Sequence, residues 1–247
     1  MTDKPSPAPP PHLKASAFLV LGVVFVAALV FYQMLGPHLM LGRWAVMFAA
    51  LLLFAIFTVV LSALPYHPHR SFGAANAITA IRTAIVSLVT AFVFFAADMD
   101  EHSAVWILIA LVVAAFVLDG FDGYLARRFG QESALGARFD MEVDALLILV
   151  LSEAALLLGK AGWWVLLIGL MRYLFVGAQY FMPALGEPLP PSFRRKLICV
   201  VQVATLCVIL VPTIVPPVST AAALIALALL AYSFAADILY LLRKSRS

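Results

Sequence analysis

The stretch LDGFDGYLARRFGQESALGARFDMEVD, residues 118–144, decides how this chain is read. It straddles the ends of two apolar runs, about Ala104 to Leu125 and about Leu135 to Leu158, each long enough to cross a bilayer as a helix. Asp119, Asp122, Gly123 and Ala126 stand at i, i+3, i+4 and i+7, so a helix puts them on one stripe at the end of the first run. Asp140 and Asp144 stand at i and i+4 on the next, with Gly136 one turn earlier on the same side. A short basic turn joins the two helices, which makes them antiparallel neighbours. Four carboxylates are therefore expected to meet at similar depth.

Outward from this island the chain is almost uniformly apolar: of 247 residues, 64% are hydrophobic and 12% carry charge. An ordinary soluble domain is about 25% charged. A soluble globule of this composition would have to cover its surface with apolar groups, so lipid is the solvent that fits. A soluble enzyme, a disulfide-stapled secreted domain and a disordered tail are excluded. Cys199 and Cys207, the only cysteines, sit inside an apolar run and read as small core residues. Further runs cover about Ala15 to Leu35, Trp44 to Leu64, Ala77 to Ala97, Trp163 to Met182, Phe193 to Val211 and Val218 to Leu242. The expected fold is an all-α integral membrane protein of about eight transmembrane helices. Residues 1–14 hold five prolines and no periodicity, and are expected to form a flexible cytoplasmic arm.

Orientation follows from Lys and Arg, which are retained on the cytoplasmic side. With the N-terminus inside, Lys4, Lys14, Arg70, Arg127, Arg128, Arg138, Arg194, Arg195, Lys196, Arg243, Lys244 and Arg246 fall on the inner side, and only Arg43 and Lys160 on the outer. Arg82 and Arg172 lie within spans. The turn with Asp98, Asp100, Glu101 and His102 is acidic and faces out. Both termini and the acidic cluster are thus expected at the cytoplasmic face, in the inner or cytoplasmic membrane of a bacterium. The net charge of +3 is accounted for by topology, and no nucleic-acid partner is needed to explain it.

A charged group at membrane depth costs about 2.5–3.5 kcal/mol on insertion scales, so a cluster of them is a functional site by default. Four facing carboxylates repel in a low dielectric unless some are protonated or a cation fills the centre. With no Cys or His among them, a hard ion, Mg²⁺ or Mn²⁺, suits the donors better than Zn²⁺. Gly123 and Ala126 leave room beside it, and Arg127 offers a fork of donors to a phosphate.

The string resembles the signature of the CDP-alcohol phosphotransferases, Asp-x2-Asp-Gly-x2-Ala-Arg-x8-Gly-x3-Asp-x3-Asp. Asp119, Asp122, Gly123, Ala126, Arg127, Gly136, Asp140 and Asp144 match it in identity and spacing. Chance agreement at eight positions is of order 10⁻⁹ per starting point. A second, looser resemblance is Ala75-Asn76-x2-Thr79-x2-Arg82 to the family's Pro-Asn-x2-Thr-x2-Arg. In the phosphatidylglycerophosphate synthase branch, the fifth core span often carries Gly-Lys-x-Lys-Thr-x2-Gln. This chain keeps Lys196 and Gln202 and has Arg195, Ile198 and Cys199 at the other positions.

The resemblance implies a six-helix core over residues 73–247, with residues 15–72 as two additional N-terminal helices. It implies transfer of a phosphatidyl group from CDP-diacylglycerol to an alcohol, with release of CMP, at a site holding two Mg²⁺ or Mn²⁺ ions. Asp119, Asp122 and Asp140 would ligate metal. Asp144 would ligate a second metal or take the proton of the attacking hydroxyl. Asn76, Thr79, Gly123, Ala126 and Arg127 would contact the nucleotide. Arg194, Arg195 and Lys196 are candidates for holding an anionic acceptor such as glycerol 3-phosphate or an inositol phosphate, or are ordinary membrane anchors. Serine and choline remain open as acceptors.

Each feature has a plainer reading. The aspartates could form a structural ion-pair network with Arg82, Arg127 or Arg138, against which stands its cost in lipid. Arg172 could pair with Glu153 or Asp237. Glu142 points about 160° from the motif acids at 100° per residue, and is left out of the site. His67 and His69 flank a proline in a solvated turn, and Trp163-Trp164 is an interfacial anchor. The first two spans are candidates for contacts in a homodimer or for stabilising the core. A cation channel or carrier is the competing function, and the lack of matching acids through the outer half speaks against it.

Overall fold

A computed structural model describes residues 11–66, 69, 71–95, 102–130, 133–187, 189–190 and 192–244. Among them are eight α-helices: α1 (Pro11–Leu35), α2 (Arg43–Ser62), α3 (Ala74–Phe95), α4 (His102–Phe129), α5 (Ala134–Leu157), α6 (Leu166–Phe181), α7 (Phe193–Leu210) and α8 (Val218–Lys244), with no strand. The all-α membrane architecture expected from the apolar runs is present, and most boundaries lie within three residues of those runs. Two ends differ by four residues: α4 runs on to Phe129, and α1 begins at Pro11, so residues 11–14, grouped by composition with the arm, are helical. Proline is well suited to the first turn, where its missing N–H has no helical partner in any case.

Six of the helical segments are long and apolar enough to cross a membrane: Pro11–Leu35, Arg43–Ser62, Ala74–Phe95, Ala104–Phe121, Trp163–Phe181 and Val218–Lys244. α5 and α7 form where expected but carry more charge. Arg138, Asp140, Glu142 and Asp144 fall in the first half of α5, and Arg194, Arg195 and Lys196 open α7. Of these charges, Asp140, Asp144, Arg194, Arg195 and Lys196 are candidate site residues.

The chain divides into two compact units, Met1–Asp144 and Ala145–Ser247. In the first, α3 packs against α1, α2 and α4 and is the most enclosed of the six apolar segments. Its polar side chains are accommodated locally: Thr79, Thr83 and Thr90 each donate to the carbonyl four residues earlier, at 3.1, 2.7 and 2.7 Å, so burial leaves these hydroxyls satisfied. α1 grips α3 at one point and the segment just before it at another. Tyr32 Oη donates to the Ala84 carbonyl at 2.6 Å, and Ser16 Oγ accepts from the Phe72 N–H at 3.3 Å. α4 stops at Gly130, whose φ of 60° is a left-handed conformation that a side chain would disfavour. Ser133 then starts α5, its Oγ accepting from the Gly136 N–H at 3.0 Å as an N-cap does.

In the second unit α8 packs against α6 and α7, and Gln202 on α7 donates to the Ala226 carbonyl of α8 at 2.9 Å. A Cβ on Gly169 would lie 2.4 Å from the Leu149 Cα, so only glycine permits α6 to approach α5 this closely. Lys160, one of two basic residues assigned to the outer side, is buried: its Nζ donates to the carbonyls of Ile214, Val211 and Pro212 at 2.7, 3.1 and 3.4 Å. Its own carbonyl accepts from Ser219 and Thr220 at 2.6 and 3.3 Å. Lys160 thus fastens the segment after α5 to the one between α7 and α8, and its charge is engaged by carbonyls instead of standing free in a loop.

Candidate active site

α4 delivers Asp119, and α5 delivers Asp140 and Asp144 one turn apart. These three can each offer a carboxylate oxygen such that all lie within 4.8 Å of one another. At their centre of charge stands an arginine. Arg82, from the middle of α3, pairs with Asp119 Oδ1 and Asp140 Oδ1 through Nη1 at 2.5 and 2.7 Å, and with Asp144 Oδ1 through Nη2 at 2.6 Å. Nη2 also donates to the Asp140 backbone carbonyl at 3.3 Å. The ion-pair network with Arg82, against which its cost in lipid stands, is present. The cost is met because one guanidinium pairs with three carboxylates, with charge-assisted hydrogen bonds to Asp119, Asp144 and the Asp140 backbone carbonyl.

Exposure is asymmetric across this cluster. The Arg82 side chain is 1% exposed, while those of Asp119, Asp140 and Asp144 are 30%, 35% and 22% exposed. Arginine backs the acids from inside the protein, and the acids keep an open side. Among the described side chains of the cluster, one positive against three negative charges leaves a formal balance of −2. All-oxygen donors that converge around such a deficit suit a hard divalent ion.

Asp122 is expected to complete the cluster, and Ala126 and Arg127 to flank it; all three lie on the α4 backbone, and their side chains are outside those described. Gly123 is partly buried. Asn76 and Thr79 are buried, at 5% and 3% exposure, and engaged within the protein. Asn76 Nδ2 donates to the Phe72 carbonyl at 2.5 Å, and its Oδ1 would lie 2.6 Å from a Cβ on Gly136. The signature glycine at 136 is thereby explained by packing: any side chain there would strike Asn76.

In the second unit, Arg194 and Arg195 share one counter-ion. Both pair with Asp237 Oδ1 of α8, Arg195 at 3.2 Å. Arg194 also lies 5.8 Å over the Tyr232 ring, and Arg195 donates to the Pro190 carbonyl. Lys196 is exposed, as is Glu142, and Trp163 is 74% exposed, as an interfacial anchor would be. His67 lies outside the described residues.

A model of the CDP-alcohol phosphatidyltransferase family matches residues 72–235. The chain belongs to the CDP-alcohol phosphatidyltransferase family. As a member of that family with six helices able to span a bilayer, it is a multi-pass membrane protein. Among relatives of this phosphatidyltransferase-family chain, a "Probable phosphatidylglycerophosphate synthase" from two strains of Mycobacterium tuberculosis is 30% identical over 139 residues, which is 56% of this chain and 66% of that protein. A "CDP-diacylglycerol--glycerol-3-phosphate 3-phosphatidyltransferase" from Cereibacter sphaeroides is 30% identical over 114 residues, covering 44% of this chain and 51% of that protein. The chain therefore spans just under two thirds of the Mycobacterium relatives and about half of the Cereibacter one. No solved structure matches it significantly.

Proposed function

We propose that this protein transfers the phosphatidyl group of CDP-diacylglycerol to an anionic alcohol, glycerol 3-phosphate first among them, and releases CMP at the cytoplasmic face of a bacterial inner membrane. The observation that carries this reading is the convergence of Asp119, Asp140 and Asp144 inside the family-matched segment. The names of the relatives favour glycerol 3-phosphate as acceptor. In the division of labour we assign, residues 73–247 form the catalytic core and residues 15–72 are an addition to it.

Asp119, Asp122 and Asp140 are assigned to holding divalent metal, Mg²⁺ or Mn²⁺, with Asp144 toward a second ion. Such ions, when bound, neutralise charge on the diphosphate and on the departing CMP. Gly123, Ala126 and Arg127, with Asn76 and Thr79, are assigned to the nucleotide. Asp144 receives the proton of the acceptor hydroxyl as its oxygen bonds to the phosphorus bearing the diacylglycerol. The bond from that phosphorus to the oxygen bridging to CMP breaks, and CMP leaves with the bridging oxygen.

Incubating the purified protein with CDP-diacylglycerol, Mn²⁺ or Mg²⁺ and a panel of alcohols is expected to yield CMP with glycerol 3-phosphate. CMP only with serine or choline would reassign the acceptor, and ion flux without CMP from any alcohol would replace the enzyme by a carrier. Arg194, Arg195 and Lys196 are assigned to the acceptor phosphate. Asp237 neutralises one of these three charges, leaving an excess of two for the anion. Arg195→Ala with Lys196→Ala is expected to raise the KM for the acceptor about tenfold or more at little cost to binding of CDP-diacylglycerol. An unchanged KM would return these residues to the role of membrane anchors.

A further inference from the structure

We propose that Arg82 is the positioning residue of the acidic centre, a fixed internal counter-charge that gathers Asp119, Asp140 and Asp144 into a ready ligand set for a divalent ion arriving from the open side. The inference rests on the proposed reading of this cluster as a metal site. Three features of the geometry support it. First, a single guanidinium reaches all three acids at 2.5–2.7 Å, and they come from two helices, so Arg82 ties α4 and α5 to α3 at one point. Second, the ion pairs use Oδ1 of each acid, and every carboxylate has a second oxygen. A planar fork behind the acids and a metal in front of them can therefore act on one carboxylate together. Third, the helix that carries the fork is held. Arg82 sits two residues before Ala84, about 200° around α3 at 100° per residue. The opposite side of the helix is pinned there by Tyr32 at 2.6 Å. The asymmetry of exposure, 1% for the arginine against 22–35% for the acids, places the guanidinium behind the ligands and leaves the solvent side to the ion.

Charge alone makes the contrary forecast. Removing a cation from the cluster deepens its negative field, so if Arg82 merely competed with the metal, its loss would tighten metal binding. If Arg82 positions the ligands, its loss lets three partly exposed acids swing apart under mutual repulsion, and binding weakens even though the field has deepened. The sign of the change separates the two.

The test is Mn²⁺ binding to the purified full-length protein in detergent, followed by electron paramagnetic resonance, with no substrate present. Arg82→Gln is expected to weaken Mn²⁺ binding about tenfold or more, in the range by which groups behind metal ligands usually act. Arg82→Lys, which keeps the charge and loses the fork, is expected to weaken it about threefold and serves where the glutamine variant fails to fold. Equal or tighter binding by Arg82→Gln, or by Arg82→Lys where that variant alone folds, overturns the inference and leaves the metal site standing. A wild-type protein that binds no Mn²⁺ overturns both.

Discussion

Replacing Asp140 or Asp144 by asparagine is expected to abolish CMP release, by about 10³-fold or more, while the protein still inserts and folds. The substitution keeps the shape of the side chain and removes one charge and one strong metal ligand. The formal balance of the described cluster falls from −2 to −1, which no longer matches a divalent ion, and for Asp144 the proton acceptor is lost as well. A 10³-fold loss corresponds to about 4 kcal/mol of transition-state stabilisation, in keeping with groups that face developing charge directly. Folding survives because Arg82 retains two of the three described carboxylates in either variant and because Asp140 and Asp144 are partly exposed, so the amide can be hydrated. Glu142→Gln is the control: this acid lies on the same two turns of α5 and is exposed, and its loss is expected to leave turnover unchanged. CMP release at near wild-type rate by Asp140→Asn or Asp144→Asn would remove these residues from the catalytic site.

Lys160→Met is expected to destabilise the protein by about 2–3 kcal/mol, read as a lower unfolding temperature in detergent. The lysine ammonium donates to three backbone carbonyls at 2.7–3.4 Å. Hydrogen bonds to a charged group contribute about 1.5–3 kcal/mol each to stability. The net effect is smaller than their sum because the ammonium is desolvated, and burial pushes the Lys160 amine below its ordinary value. Methionine fills the stem's volume and offers no donor, leaving Val211, Pro212 and Ile214 to find water or go unpaired. Lys160→Arg, which restores donors, is expected to recover part of the loss. An unfolding temperature unchanged in Lys160→Met would show that water replaces the ammonium fully.

These two predictions draw on unequal amounts of sequence information. The aspartates were legible because their chemistry is written at helical spacing: Asp119 and Asp122, then Asp140 and Asp144, stand one turn apart in a background where charge is rare. The role of Lys160 was not legible. In the sequence it is one basic residue on the outer side, an exception to the charge bias, and its carbonyl partners lie 51 to 54 residues further along. Asp237 is a similar case, a lone acid in α8 that turns out to serve arginines 42 and 43 residues earlier. The signal that could have found Arg82 was in view, since it closes the Asn76-x2-Thr79-x2-Arg82 string. Its pairing with the aspartates is one of the plainer readings the sequence offers, and the cost of a buried charge network in lipid weighs against it.

From sequence alone, this protein's solvent, its helices and its acid-bearing faces were determined, because apolar runs and periods of three to four residues are local properties that lipid and the α-helix read directly. Tertiary structure alone decided which charge meets which. Arg82 reaches across 37 residues to Asp119 and 62 to Asp144, and no periodicity encodes a separation of that kind. It arises from packing: α3 is enclosed by α1, α2 and α4, so its one arginine has no route to water. The lowest-energy place for that charge is among the carboxylates that the sequence had already aligned.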